Sequence, residues 1–290
     1  MQLIPWHYQS RYGFTLRGHH STPSGKPLLH LLHGNGFCSL MYLPLLQQLS
    51  PYFDLFLSDT QGHGDSDHGG KFIGWHQSAE LASDAFQQHL PKFGEVYVYG
   101  CGHSFGGVLT ALVNAQPERI FHKVILLDPV LFPPLLLRSM QALDLLGLYQ
   151  HNPMAKKALK RRQFWPDKLE TEQYLTNRGM FRGWQQDALR AYIDHALHHQ
   201  DGSRLKCKPE REAEIFASYP QNLWRELKRP CSETLVIYGD DTYPFVQKAV
   251  HRWQSLNPAV SSLQTKGGHC FMQQYPKHSA ELMLKHWGFI

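Results

Sequence analysis

The sequence predicts an α/β fold, with a mostly parallel central sheet flanked by helices and interrupted by a helical insertion. The first observation is a series of short apolar runs that end in turn residues, at positions 28–32, 53–57, 96–99, 124–127 and 235–238. Strands buried on both faces of a parallel sheet have this nearly continuous apolar composition. The second observation is that longer segments of helical spacing separate the runs, which is typical of parallel strands joined by helical crossovers.

The helices between the early strands are predicted at 74–90 and 107–116, and Pro117 closes the second because proline cannot continue a helix. A weaker strand is predicted at 261–266. Between about 131 and 230 the alternation stops, and helical spacing appears instead at 135–148, 154–162, 169–177 and 186–198. We therefore expect a core formed by residues 1–130 and 231–290 and a helical cap formed by residues 131–230.

Length and composition exclude several classes of protein. With 290 residues, of which 42% are hydrophobic and 18% charged, the chain can fill the core of one large domain and is not compositionally disordered. A net charge of +5 predicts no nucleic-acid partner. Five cysteines without a CxxC pair argue against a disulfide framework or a zinc module. No secretory signal or membrane-spanning apolar stretch is visible, so a cytoplasmic protein is expected, whose oligomeric state the sequence leaves open.

The strongest chemical signal is the motif Gly-His-Ser-Phe-Gly at 102–106, between a predicted strand and a predicted helix. A serine in a tight strand-to-helix turn presents its hydroxyl above the sheet, and the flanking glycines allow the backbone to approach closely. The motif therefore predicts a nucleophilic Ser104. The alternative is a glycine-rich turn in which Ser104 caps the following helix.

A nucleophilic serine also needs a base, an orienting acid and donors for the oxyanion. His269 can supply the base, and Asp240 or Asp241 the acid. The resulting order of serine, aspartate and histidine along the chain is the one that this fold class uses. The backbone N–H groups of Phe105, next after the serine, and of Asn35, in a glycine-rich turn, are the predicted oxyanion donors.

Together these motifs resemble those of the α/β-hydrolase superfamily, in its serine-nucleophile branch with a helical cap and an esterase-like site. The resemblance covers nearly the whole chain and rests on five segments, at 33–37, 59–66, 102–107, 127–129 and 267–269. It implies Ser104 as the nucleophile, His269 as general base and then general acid, and the amides of Asn35 and Phe105 as oxyanion donors. It implies no metal and no organic cofactor.

The chain departs from the family pattern at the acid. The family spaces its aspartate three residues after the glycine that ends the strand, and Thr242 occupies that position here. Asp241 is our first choice for the acid, and Asp240 in the same loop is an alternative. Some relatives place the acid after the preceding strand, which makes Asp128 a further alternative.

The predicted function is hydrolysis of an acyl bond through a serine acyl-enzyme, with the carboxylic ester of a small or medium apolar substrate as first choice. The same triad could cleave a thioester or a C–C bond, and the fold could also serve as a non-catalytic module that binds a small molecule. Five cap residues could line an apolar acyl pocket, although packing between cap and core is favoured for them: Phe132, Leu135, Leu136, Leu137 and Leu148.

The remaining polar features are interpreted first as structural. His33 and His103 are expected to hydrogen-bond loop backbone, and His63 to order its own loop in the same way. The basic cluster at 156–162 is predicted to be a solvated helix face, with an anion site as the alternative. The segment 178–184, with two arginines among aromatic residues, fits either an exposed turn or a contact to an anionic substrate group.

Overall fold

An eight-stranded sheet forms the centre of the protein, whose computed structural model describes residues 1–290. Its order is β1-β2-β4-β3-β5-β6-β10-β11, and β7, β9 and β8 form a separate small sheet. In chain order the strands are β1 (Leu3–Gln9), β2 (Thr15–Ser21), β3 (Leu28–Leu32), β4 (Asp54–Asp59), β5 (Val98–His103), β6 (Lys123–Leu127), β7 (Phe164–Trp165), β8 (Leu197–His198), β9 (Ser203–Leu205), β10 (Glu233–Asp241) and β11 (Val260–Gly268).

The predicted fold class is confirmed, because every pair from β4 across to β11 in the main sheet is parallel. Within the main sheet only β2 forms antiparallel pairs, one with β1 and one with β4. The sequence did not predict β1 or β2. Strand β1 is an edge strand that contains Pro5 and exposes most of its side chains, and every second side chain of β2 is only half-buried.

Helices cover both faces of the main sheet. In chain order the α-helices of the protein are α1 (Leu43–Leu49), α2 (Trp75–His89), α3 (Ser104–Asn114), α4 (Pro134–Leu145), α5 (Pro153–Leu159), α6 (Lys168–Leu175), α7 (Gln186–Ala196), α8 (Pro209–Phe216), α9 (Leu223–Leu227), α10 (Pro244–Leu256), α11 (Phe271–Gln274) and α12 (Pro276–Trp287). No helix combines the length and the apolar composition needed to cross a bilayer.

The core has two halves because successive side chains of a strand point to opposite faces of the sheet. In β3, Leu28 and Leu32 belong to a cluster of 39 buried residues that includes α2, α3 and α10. Leu29 and Leu31 belong to a cluster of 34 that includes α1 and α12. The strands at the middle of the sheet are therefore buried on both faces, which is why they appear in the sequence as unbroken apolar runs.

The segment between β6 and β10 contributes no strand to the main sheet. It contains α4 to α9, together with the antiparallel three-stranded sheet of β7, β9 and β8. The sequence predicted no strand in this segment, so these three strands were missed. These strands are two or three residues long, too short to produce a period-two pattern in the sequence.

Candidate active site

Ser104 lies in a sharp turn between β5 and α3. Its backbone φ is 55°, in the left-handed region that costs a non-glycine residue about 1–3 kcal/mol. At Gly106 a Cβ atom would lie 2.4 Å from the carbonyl oxygens of Leu32 and His33, so only glycine permits the close approach. The turn thus holds the Ser104 side chain at the carboxyl ends of the central strands, where ligands bind in open α/β sheets.

The Ser104 hydroxyl is hydrogen-bonded to His269 and not to the helix backbone, so the capping alternative is wrong. The distance from Ser104 Oγ to His269 Nε2 is 2.8 Å, and His269 Nδ1 is 2.8 Å from Asp128 Oδ1. A carboxylate can only accept, so Nδ1 carries the proton and Nε2 is left as the acceptor for the serine O–H. The imidazole can therefore take the serine proton while Asp128 stabilises the positive charge that forms.

Asp128 is fully buried at the end of β6, and its carboxylate has three donors. Besides His269, the backbone N–H of Gly239 donates to Oδ2 at 2.9 Å, and the Thr242 hydroxyl donates to Oδ1 at 2.5 Å. A buried carboxylate is costly unless its oxygens are hydrogen-bonded, and these contacts meet that need. Thr242 occupies the position where the family pattern expects the acid, and here its hydroxyl donates to a carboxylate on another strand.

The structure does not place Asp241 against His269, which corrects our first choice for the acid. The side chains of Asp240 and Asp241 are exposed at the end of β10, and the Asp240 carboxylate accepts the backbone N–H of Gly267 at 2.8 Å. The physical reason is a register shift between Gly239 and Asp241, where β10 pairs irregularly with β11. The alternative Asp128 occupies the position beside the imidazole instead.

The turn at 33–36 lies next to the serine turn, because Gly106 N–H donates to the carbonyl of His33 at 3.1 Å. The backbone N–H of Asn35 has no acceptor in the protein, and its side chain donates to the carbonyl of Glu212 at 3.1 Å. Phe105 is the second residue of α3, and the first N–H groups of a helix have no partner within it. Both predicted donors are thus N–H groups at the same end of the sheet as the serine.

A buried hydrogen-bond chain links three loops of the site. Gly34 N–H donates to the Tyr42 hydroxyl at 3.2 Å, Tyr42 donates to His103 Nδ1 at 2.7 Å, and His103 Nε2 donates to the carbonyl of His269 at 3.0 Å. Burial lowers the pKa of His103 well below its ordinary value, and the neutral ring fits these two roles. These hydrogen bonds therefore fix the His269 backbone relative to the 33–36 turn.

His33 and His63 hydrogen-bond loop backbone, as expected. His33 Nε2 accepts the N–H of Thr60 at 3.0 Å, and His63 Nε2 accepts the N–H of Gly36 at 3.0 Å. Burial lowers the pKa of both imidazoles. The two rings therefore act as neutral supports of the 33–36 turn.

A cavity of ≈ 880 Å³ opens beside His269, between the 131–230 segment and the loops that follow β10 and β11. None of the five residues considered for an acyl pocket lines it. Leu135 and Leu148 are 79% and 54% exposed, and the other three pack against the core. The apolar part of the lining comes from other residues, among them Met154, and Met180 and Phe181 in the 178–184 segment.

The model of the Alpha/beta hydrolase family matches residues 31–279, and the chain belongs to this family. Membership places it among hydrolases. Several solved structures have the same fold, and their identities with this chain are low enough that the likeness shows the fold alone. They include E-2-(acetamidomethylene)succinate hydrolase, with a TM-score of 0.78, 19% identity and 98% of each chain covered. The peroxisomal α/β-hydrolase Lpx1 of Saccharomyces cerevisiae has a TM-score of 0.74 at 17% identity, with 98% of this chain and 87% of that chain covered.

Curated relatives match a shorter stretch. The abhydrolase domain-containing protein AKT2 of Alternaria alternata is 33% identical over 101 residues, which is 35% of this chain and 34% of that protein. Protein ACTT2 of the same organism is 35% identical over 101 residues, with the same shares. The match thus spans about a third of the length of these relatives.

Sequence reasoning missed two supporting residues, Tyr42 and Thr242. Tyr42 lies 61 positions before His103, and nothing in the spacing links them. Thr242 carried a usable signal, because a hydroxyl at the position expected for the acid is suited to donate to an acid on the neighbouring strand.

Proposed function

We propose that this chain is a serine hydrolase that cleaves an acyl bond, with a carboxylic ester as the preferred substrate. The observation that carries the proposal is the continuous hydrogen-bond chain from Ser104 through His269 to Asp128, with both bonds at 2.8 Å. The strained φ of Ser104 supports it, since strain of this kind persists at sites where geometry serves a reaction.

In the proposed first half-reaction, Ser104 Oγ attacks the carbonyl carbon and its proton passes to His269 Nε2. The tetrahedral oxyanion is stabilised by the backbone N–H groups of Asn35 and Phe105. When it collapses, the bond to the leaving group breaks, and the imidazolium gives its proton to the departing alcohol. The products of this half-reaction are an acyl-serine and one free alcohol.

In the proposed second half-reaction, His269 removes a proton from a water molecule that attacks the acyl-serine. Collapse of the second tetrahedral intermediate releases the carboxylic acid and returns the proton to Ser104. Asp128 keeps the imidazole in the tautomer and orientation that both halves require. A thioester or a C–C bond activated by a carbonyl group would pass through the same two steps with a different leaving group.

We further propose that residues 131–230 act as the cap. The cavity beside His269 is bounded on one side by α5 and the 178–182 turn, and on the other by the Thr242 and Gly268 loops. Any molecule that reaches His269 through this cavity therefore also contacts the 131–230 segment. This arrangement supports a role of the segment in selecting the substrate.

The test is intact-mass labelling with a fluorophosphonate, which reacts with activated serines. We expect one adduct on the parent protein and none on Ser104→Ala. The matched control is Ser255→Ala, an exposed serine on α10, and it should be labelled like the parent. An unlabelled but folded parent would refute the mechanism and would favour a non-catalytic binding module. Hydrolysis of p-nitrophenyl esters, acyl thioesters and C–C substrates by the same protein then ranks the leaving groups.

A further inference from the structure

The lining of the cavity beside His269 carries far more positive than negative charge. It contains seven Lys and Arg residues and two carboxylates, and this surplus of five equals the net charge of +5 of the whole chain. The surface of an ordinary soluble protein has both signs interspersed. The cations are Lys156, Lys157, Lys160, Arg161, Arg162, Arg178 and Arg182, and the carboxylates are Glu212 and Asp241.

Most of these cations have no carboxylate partner. Arg161 pairs with Glu212 at 2.6 Å and Arg162 pairs with Glu170, whereas the other five form no salt bridge. Arg178 instead lies over the ring of Tyr174, with its guanidinium carbon 4.1 Å from the ring centre. Like charges around one cavity repel each other and concentrate an electrostatic field that attracts anions.

Arg161, whose charge is paired with that of Glu212, lies close to the candidate oxyanion donors. Its side chain is only 17% exposed and is fixed by Glu212 and by the Tyr192 hydroxyl, each at 2.6 Å. A methyl group at Gly36 would lie 3.1 Å from Arg161 Nη1, so the guanidinium lies against the turn that contains Asn35. A guanidinium held in place in this way loses little conformational freedom when it binds a ligand.

The cations come from two segments that are separate in the sequence. One is α5 with the residues that follow it, and the other is the turn at 178–182. A solvated helix face would explain the first segment alone. It does not explain why the second segment directs its arginines to the same cavity, or why that cavity reaches His269.

We propose that the substrate is an acyl compound that carries a carboxylate or phosphate group, which the cations of this cavity bind while the acyl carbon lies at Ser104. The inference rests on the proposed hydrolase function, and it replaces the apolar substrate predicted from the sequence with an anionic one. The apolar lining residues then contact the uncharged part of the same molecule.

The test compares matched pairs of substrates that differ in one anionic group. For the carboxylate, the pair is the mono-p-nitrophenyl ester of glutaric acid and its methyl ester. For the phosphate, the pair is the butyryl thioester of 4′-phosphopantetheine and that of pantetheine. We expect the anionic member of at least one pair to have the higher kcat/KM at 20 mM NaCl, and the preference to shrink at 300 mM because salt screens exposed charges. The pair that shows the preference identifies the anionic group.

The variant Arg178→Gln/Arg182→Gln removes two of the unpaired cations. We expect the ratio of kcat/KM between the anionic and the neutral member to fall about fivefold for each charge at low salt, which corresponds to about 1 kcal/mol per exposed ion pair. The matched control is Arg119→Gln/Arg252→Gln, which removes two exposed arginines outside the cavity. Arg252 also lies over an aromatic ring, that of Trp224, so the control reproduces the loss of such a contact. Its ratio should equal that of the parent.

Equal kcat/KM for both members of both pairs at 20 mM NaCl, or an equal fall in the two double variants, would overturn the inference and leave the hydrolase function intact. Failure of the proposed function has a different signature, namely no hydrolysis of any member together with no fluorophosphonate adduct on the parent protein.

Discussion

Replacing Asp128, Asp240 and Asp241 one at a time by asparagine separates the three candidates for the acid, and we expect a large loss of activity only for Asp128. In Asp128→Asn the carboxamide has one accepting oxygen for three donors, those of Gly239, Thr242 and His269. If the oxygen takes the Oδ2 position and keeps the N–H of Gly239, the amide NH₂ takes the Oδ1 position, faces His269 Nδ1 and forces the proton to Nε2. The imidazole then cannot accept the Ser104 proton.

The expected loss follows from this change of tautomer. A serine hydrolase whose histidine is held in the wrong tautomer loses about 10⁴-fold in kcat, or about 5.5 kcal/mol of transition-state stabilisation. We therefore expect kcat/KM of Asp128→Asn with p-nitrophenyl butyrate to fall by about 10⁴-fold, as an order of magnitude. Asparagine suits the backbone, because Asp128 has a φ of 46° and asparagine tolerates this region better than alanine. Urea denaturation verifies that the variant is folded.

The comparison variants are Asp241→Asn and Asp240→Asn, whose carboxylates do not contact His269. We expect each to change kcat/KM by less than about tenfold, as for the loss of an exposed charge. The double variant Asp128→Asn/Thr242→Asp places a carboxylate at the position that the family pattern expects, and its rate should exceed that of Asp128→Asn alone. The assignment is refuted if Asp128→Asn stays within tenfold of the parent while either comparison variant loses activity.

Tyr42→Phe removes the hydroxyl between the 33–36 turn and His103, so two buried groups lose their hydrogen-bond partner. We expect kcat to fall with KM little changed, and the free energy of unfolding to fall by about 1–3 kcal/mol. An unchanged kcat would contradict this prediction. Gly106→Ala should abolish fluorophosphonate labelling, because the new Cβ would lie 2.4 Å from two carbonyl oxygens, and a normally labelled variant would show that the turn adapts. Burial lowers the pKa of His30 to about 3, so between pH 4.5 and about 6.5 the unfolded chain binds a proton at His30 that the folded protein does not bind. The free energy of unfolding should therefore rise with pH over this range, by about 1.4 kcal/mol per pH unit from this residue. Urea denaturation across this pH range should show a smaller rise of stability with pH for His30→Gln. The control His278→Gln, which changes an exposed histidine, should keep the pH dependence of the parent. Equal pH dependence in all three proteins would contradict the role given to His30.

The sequence predicted the middle of the sheet and the serine turn because local physics determines both. The strands buried on both faces must be apolar throughout, and the turn at Ser104 needs small residues on either side. Strands β1 and β2 were missed because their side chains are largely exposed, half-buried or polar. The two- and three-residue strands of the 131–230 segment leave no periodic pattern at all.

The acid and the cationic cavity depended on information that the sequence does not contain. The choice between Asp128 and Asp241 depends on how β10 pairs with β11 past Gly239, where the register shifts. A register shift at a strand end has no residue signature, so spacing from Gly239 favoured the wrong loop. Likewise, the two cationic segments were each recognised, but their convergence on one cavity is a property of how the 131–230 segment folds.

The proposed reaction depends on a neutral His103 imidazole as well as on the hydrogen bonds that His103 makes. Its ring centre lies 5.0 Å from that of His269, which must become positively charged when it takes the serine proton. A second positive charge at that distance would oppose this step by about 3 kcal/mol at an effective dielectric constant of about 20. Burial lowers the pKa of His103 well below its ordinary value, and the nearby His269 lowers it further. The buried hydrogen-bond chain through Tyr42 thus orients His269 through the neutral His103, which does not compete with His269 for the Ser104 proton.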